Sequence, residues 1–511
     1  MEGIKMTFHR IAPTSSICNS TTESSTGARA SAYWLIALLF AFIGTITTVS
    51  SAQTGYSNSV GYSTAQLGVP QYTCVRNWYL DPNGSDSNSG NSPSSAWATL
   101  GKADANVMPG DCVNLASGVY GVSAYVMLTH GGNANTSTGY VVYRSSTPRG
   151  AIIRAIAQQG PDIDLVYASA SYLIFDGLVF DGNNNYVPAG CVASWGAYVH
   201  HWVFENNVAT GCGSFGLSGS DYSWFINNET YGNSGTDTYN EGSGIDIYEI
   251  TDATDKTKGD PNFVPNANDL ALQYRIVIAY NISHDNYVYP SGCLYNVVTG
   301  CGSGDGNKPG DQHTDGNGII LDDWDHTQSD NNPYTGSALV IGNIVYNNGG
   351  AGIQVYETSN ATVVNNSAYN NHTDDQIFGG HRGEISCDPC YNSQFINNAT
   401  YAVIGPDWLA FNAPYAFNPG SINVTWTNNI GYPSAMQVGS LPAGNQVGTD
   451  PEFKNPAAGD FSLLNGSPAA GSGSTLPWLQ ATNPNLGKAQ PLPSGVWTRE
   501  SILGQLLMAS S

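Results

Sequence analysis

Apolar and polar positions alternate in short runs along most of this chain, as in Ile353-Gln354-Val355-Tyr356 and Thr362-Val363-Val364, and Gly or Asn closes each run. That pattern predicts short strands with one face buried. The punctuation itself repeats. A β-branched or aromatic residue, then Asn, then a second Asn or Gly a few residues on, recurs with its first Asn at Asn207, Asn228, Asn281, Asn343, Asn366 and Asn398, and more weakly at Asn429. The spacings are 21, 53, 62, 23, 32 and 31 residues. A period of about 20 to 50 residues marks stacked units, and the two long intervals fit coils that carry insertions. The Gly and Asn density excludes helical repeats. Asn tolerates the left-handed conformation of a tight turn, and its amide can bond the amide one coil away. The sequence therefore predicts an all-β chain folded as a single right-handed parallel β-helix with inserted loops.

The predicted solenoid spans 76–470. Residues 97–103 read as a short amphipathic helix that would cap the first coil, whose backbone edge is otherwise open to pairing. Residues 450–468 read as a last strand and exit turn. Residues 53–75 form an N-terminal extension, and the Pro-rich tail at 471–511 is expected to pack on the outside of the solenoid. An apolar run at 34–46 followed by Ser50-Ser51-Ala52 reads as a signal peptide, residues 1–52. A secreted monomer is expected, with no stable membrane association after cleavage. Cys18 lies in the leader and eight cysteines remain, an even count that predicts disulfides in an exported chain. Expected pairs are Cys293 with Cys301 and Cys387 with Cys390, leaving Cys74, Cys112, Cys191 and Cys212 to pair among themselves.

Charge narrows the partners. The formal net charge is −23, and without residues 1–52, which hold Glu2, Glu23, Lys5, Arg10 and Arg29, 37 acids face 13 bases. Such a chain does not bind nucleic acid through phosphates, and it repels a polyuronate unless a cation or a basic patch intervenes.

The repeat also lets residues be stacked coil on coil. Phe215, Ile353 and Ile385 each sit 13 positions before a turn Asn, and Ile245 and Ile319 join them by local motif. If these point inward, their neighbours point outward. One outward column is Asp246, Ile320, Gln354 and Ser386, a second is Tyr248, Asp322, Tyr356 and Asp388, and a third is Glu249, Asp323 and Glu357. Coils lie about 4.8 Å apart, so like charges at this spacing oppose one another by roughly 1 kcal/mol even in water. Either a bound Ca²⁺ or a raised carboxyl pKa relieves this. The expected roles are catalysis by Asp322 and Asp388, cation binding by Asp246, Glu249, Asp323 and Glu357, and sugar stacking on Tyr248, Tyr356 and Trp324. Insertions at 250–270 and 287–316, with Tyr289, Tyr295, His313 and Asp315, would wall this face, and Trp408 is a further stacking candidate.

The opening segment from Trp78, the run from Gly316 to Asp323 and the stretch from Asn343 to Ile353 resemble the pectate-lyase-like β-helix proteins, and most of all polysaccharide lyase family nine. The resemblance implies a calcium-dependent β-elimination on a uronate polysaccharide. It also departs from that family, because Ile320 stands where a base Lys is expected and Asp322 and Asp323 stand where two glycines are. Arg382 is then the candidate base, with His313, His326 and His381 as further candidates. Two other readings stand beside the lyase: a glycoside hydrolase using paired carboxylates among Asp322, Asp323, Glu357 and Asp388, and a non-catalytic carbohydrate-binding β-helix.

Overall fold

The computed structural model describes residues 62–470 apart from 136, 161–162, 184–186, 188, 195–198, 234–241, 287, 289–314, 375–382, 404–413 and 435–440. The expected signal peptide, the C-terminal tail, the expected pair of Cys293 with Cys301, and Tyr289, Tyr295, His313, His381, Arg382 and Trp408 lie outside the described residues.

Three parallel sheets wind along the chain as a right-handed β-helix. The first has eleven strands, running from Arg76–Leu80 to Thr425–Thr427, and the second also has eleven, from Gly118–Val122 to Gln446–Val447. The third is split into a three-stranded part and a six-stranded part, the latter formed by Phe215–Ser218, Ile245–Tyr248, Ile319–Asp322, Ile353–Tyr356, Ile385–Cys387 and Tyr415–Phe417. Every turn of chain contributes a strand to successive sheets, so the pairing is parallel and the connections right-handed, as a twisted strand requires. Inward residues of all three sheets fill one core, including Phe175, Phe204, Phe225, Ile278 and Val340 from the first sheet and Ile245, Ile319 and Ile353 from the third.

The predicted asparagines do what the repeat implied. Asn228 Oδ1 accepts from the backbone N–H and the side-chain N–H of Asn207 at 3.0 and 3.1 Å, and Asn228 Nδ2 reaches Phe204 O at 3.0 Å. The pattern continues through Asn281, Asn343, Asn366, Asn398 and Asn429 to Asn445. A second buried ladder runs through Asn233, Asn286, Asn348 and Asn371. These side chains satisfy backbone groups that a turn inside the core would otherwise orphan.

The first coil is capped. The Leu100–Asp104 helix, capped by Thr99 Oγ1 accepting from Lys102 N, buries Leu100 and Ala103 over the first coil. At the far end the structure departs from the expected last coil. Phe453–Asn455 and Asp460–Leu463 pair antiparallel, as a hairpin whose Phe461 packs on Tyr346 and Tyr369 outside the second sheet. Residues 62–74 and the insertion before Ile276 clad the first sheet in the same way, burying Tyr62, Leu67, Ala253 and Phe263. Disulfides join Cys74 to Cys112, Cys191 to Cys212 and Cys387 to Cys390. No helix among the described residues is long and apolar enough to cross a membrane.

Candidate active site

The six-stranded sheet carries the acidic face, and its register matches the columns read from the sequence. Gly216, Asp246, Ile320, Gln354, Ser386 and Ala416 are successive partners, as are Ser218, Tyr248, Asp322 and Tyr356. Asp388 extends the second column, its N–H bonding Val355 O at 2.9 Å. Gly216 belongs here for a steric reason. A Cβ on it would lie 2.0 Å from the carbonyl oxygen of Asp246, so only Gly lets the two strands meet, and it leaves the flank of Asp246 without a side-chain neighbour.

Glu249, Asp323 and Glu357 also stack: Glu249 N donates to Asp322 O, Asp323 N to Tyr356 O, and Asp325 N to Glu357 O. All three are left-handed, with φ of 39, 47 and 42°. This ends the strand alternation and turns the chain out of the sheet. The consequence corrects two expectations. Asp323 is fully buried, and its carboxylate accepts from Thr327 N, Thr327 Oγ1 and Gln328 N at 2.7 to 3.0 Å; it closes a turn and does not face a ligand. Trp324, expected on the surface, is driven inward, where it is fully buried, donates to Ile247 O at 2.8 Å and lies edge-on to Tyr334. His326 is a buried anchor as well, its Nε2 donating to Ile250 O at 2.9 Å.

What remains on the face is a carboxylate pair, Asp246 and Asp322, the latter between two tyrosines. Asp246 and Asp322 are half-buried as residues, yet one carboxylate oxygen of each, and one of Glu249, is shut off from water and has no hydrogen-bond partner. Burial pushes the Asp246 carboxyl up to about 7. Burial first, and then the charges of Asp246, Asp323, Glu357 and Glu249, hold the Asp322 carboxyl well above its usual range. Their titrations are linked, so the two behave as a pair that retains a proton near neutrality. By sheet geometry their Cα positions are one coil (about 4.8 Å) apart across the sheet and two residues (about 6.6 Å) apart along it, hence about 8 Å from Cα to Cα.

Tyr248 and Tyr356 flank Asp322 on the two adjacent coils and are half-buried. Burial and the neighbouring carboxylates raise both phenols, so they stay neutral donors. Glu357 is held by Thr327 Oγ1 and by Gln328 Nε2 at 3.4 Å. Asp388, two coils from Asp322, is raised by burial and accepts from Asn418 Nδ2 at 2.5 Å. No three His, Cys, Asp or Glu side chains among the described residues form a group able to hold a metal ion.

One titrating residue escaped the sequence reading. Glu384 is fully buried and accepts from Asn371 N at 3.1 Å and Asn371 Nδ2 at 2.5 Å. Burial pushes its carboxyl up to about 8, against the pull of the Asn371 bonds. The signal was present: five residues after Asn398 the repeat puts Val403 in place of the second Asn, so Asn371 needs another acceptor.

No protein-family model and no curated protein matches the chain. Among solved structures it is similar to a pectate lyase, Pel9A, at 15% identity and a TM-score of 0.46, covering 85% of this chain and 100% of that one. It is also similar to a rhamnogalacturonan lyase (14%, TM-score 0.38, 84% and 98% covered). A third is the A-module of the mannuronan C-5 epimerase AlgE4 of Azotobacter vinelandii (13%, TM-score 0.34, 66% and 90% covered). At such identities and TM-scores the chemistry has to be read from the residues themselves.

Proposed function

We propose that this chain is an exported enzyme that cleaves a glycan by acid–base catalysis, with Asp246 and Asp322 as the two carboxylates. The observation that carries this reading is the linked pair itself: two outward carboxyls with sealed, unpartnered oxygens and raised pKa values, with a half-buried tyrosine on either side of Asp322. Hydrolysis of a glycosidic bond needs one protonated and one ionised carboxyl. A separation of about 6.5 to 9.5 Å leaves room for a water between them and inverts the anomeric centre. The Cα positions of the pair, about 8 Å apart on one face of the sheet, leave room for such a water.

In this mechanism Asp322, raised by burial and by the charges of four neighbouring carboxylates, protonates the leaving oxygen, and Asp246 deprotonates the attacking water. Tyr248 and Tyr356 position the sugar by stacking and by their hydroxyls. Glu249 and Glu357 strengthen the field that keeps Asp322 protonated. The three disulfides among the described residues fit an oxidising compartment, in keeping with the expected leader.

The lyase reading required a cation to offset the uronate charge. With Asp323 taken up by its turn, Asp246, Glu249, Asp322 and Glu357 are the carboxylates left to hold one. A panel of neutral, acidic and amine-bearing polysaccharides tests the proposal, with reducing ends and the ultraviolet absorbance of unsaturated sugars followed together. Reducing ends without unsaturation, with an inverted anomer in the first product, support it. Unsaturated product on a uronate polymer, abolished by EDTA, would replace it with the lyase, and inertness on the whole panel would leave a binding protein.

A further inference from the structure

We infer that His200 and His201 form a one-proton clamp that docks the insertion at 251–271 onto the flank of the β-helix and makes its docking depend on pH. The two histidines open the strand His200–Glu205 and are 1% and 3% exposed. Consecutive strand residues normally point to opposite faces. His201 is left-handed, with φ of 61°, and this brings both rings to the same side. There His200 Nδ1 and His201 Nδ1 lie 2.8 Å apart, His201 Nε2 lies 3.0 Å from Asp269 Oδ1, and His200 Nε2 lies 3.4 Å from Asp260 Oδ2. Both aspartates belong to the insertion. Asp269 also closes the capping box of the Ala267–Ala271 helix, and Phe263 packs on His200 with ring centroids 4.2 Å apart.

Proton counting gives the consequence. The chain from Asp260 through the two rings to Asp269 has three links, and each needs one proton. Two neutral imidazoles carry one N–H each. A third proton must therefore be bound for all three links to exist. Held by the two rings together, that proton lets one nitrogen of each ring donate outward, to Asp260 and to Asp269, and leaves one N–H to bridge the ring gap. Burial, and then the charge on His201, keep His200 from a second proton until about pH 4.

The surrounding elements supply no competing proton. Tyr172 and Tyr222 sandwich His201 at 4.6 and 4.8 Å, and they and Tyr140 are raised by burial and remain neutral. Arg275 lies over Tyr222 but is paired with Asp221 and Asp252. Lys256 is turned to the carbonyls of Pro261 and Phe263 within the insertion.

The clamp is closed when the third proton is bound and opens when it is lost, and imidazole is the side chain that ordinarily exchanges a proton between about pH 5 and 8. Two lone pairs then face each other across the ring gap and a link is lost. The insertion follows Glu249 and Ile250 directly, so its docking borders the acidic face, but the clamp stands whether or not that face is catalytic.

Hydrogen exchange of the full chain, corrected for intrinsic rates, tests this at about pH 5.5 and about pH 8, on either side of the imidazole range. Amides of 251–271 should lose about tenfold protection at the higher pH, on the scale of one charge-assisted hydrogen bond, while those of Ala338–Ile341 hold. Equal protection at both values would overturn the clamp. His201→Asn keeps a residue that tolerates the left-handed turn and removes the titrating group, so it should erase the pH dependence; persistence of that dependence in the variant would also overturn the proposal. Should the variant not fold, nitrogen-15 histidine spectra of the unaltered chain decide. One imidazolium and one neutral ring at about pH 5.5 is the expected pattern, and two neutral rings would contradict it.

Discussion

Glu384 offers a perturbation whose size and sign follow from its burial. An unfolded chain ionises this side chain at its ordinary value of 4.5, whereas the folded chain keeps the proton up to about 8. Between those values the native state binds one more proton than the unfolded state, so stability falls as pH rises, by about 1.4 kcal/mol per unit. At pH 7 the accumulated cost is about 3 kcal/mol. Glu384→Gln keeps the shape and the acceptor for Asn371 and removes the titration. Urea unfolding of the two proteins across about pH 4.5 to 8 should therefore give nearly equal stability at the acid end and an advantage of about 3 kcal/mol for the variant at neutrality. Other raised carboxyls cancel in this comparison. Parallel stability curves, or a variant that loses ground as pH rises, would refute the argument that burial keeps Glu384 protonated.

Three further outcomes are expected. Asn343→Ala removes the acceptor for Asn281 N and the donor to Ile278 O, orphaning two buried backbone groups at about 1 to 3 kcal/mol each, so chemical denaturation should show a loss of about 4 kcal/mol. With Asp246 as base, kcat/KM should fall about tenfold per unit below about pH 7, since the ionised form is lost as pH drops through that value; a rate that is flat from pH 5 to 7 would remove Asp246 from that role. Trp324→Ala should cost about 3 to 5 kcal/mol by thermal unfolding, the range for a large core side chain, with little change in KM for any glycan; a large rise in KM without loss of stability would return it to the surface.

Much of the fold was legible because one residue type is forced at one place. An Asn at each inner turn must bond its copies above and below, so the repeat in sequence is the ladder in space, and the alternation of Ile245, Ile319 and Ile353 with Asp246, Ile320 and Gln354 fixed the columns. The site was read less well where the alternation stops. Asp323 and Trp324 follow directly on Asp322, but the left-handed residue between strand and turn reverses which way they face, and nothing in composition signals that reversal. Tertiary partners were invisible for another reason. His200 meets Asp260 and His201 meets Asp269 only because an insertion folds back on an outer face of the solenoid, 60 and 68 residues along the chain. The hairpin at 453–463 likewise kept the look of a further coil, since strand patterning does not reveal the direction of pairing.

The most direct test of the carboxylate pair is the turnover of Asp246→Asn and Asp322→Asn beside the unaltered chain, on whichever glycan of the panel is cleaved, with circular dichroism as the control for folding. Each substitution keeps the side-chain shape and should lower kcat by at least about a hundredfold, the scale of a lost general acid or base, with reducing ends released and no unsaturated sugar formed by the active protein. An Asp322→Asn protein that is folded and turns over its substrate at the unaltered rate would contradict the account.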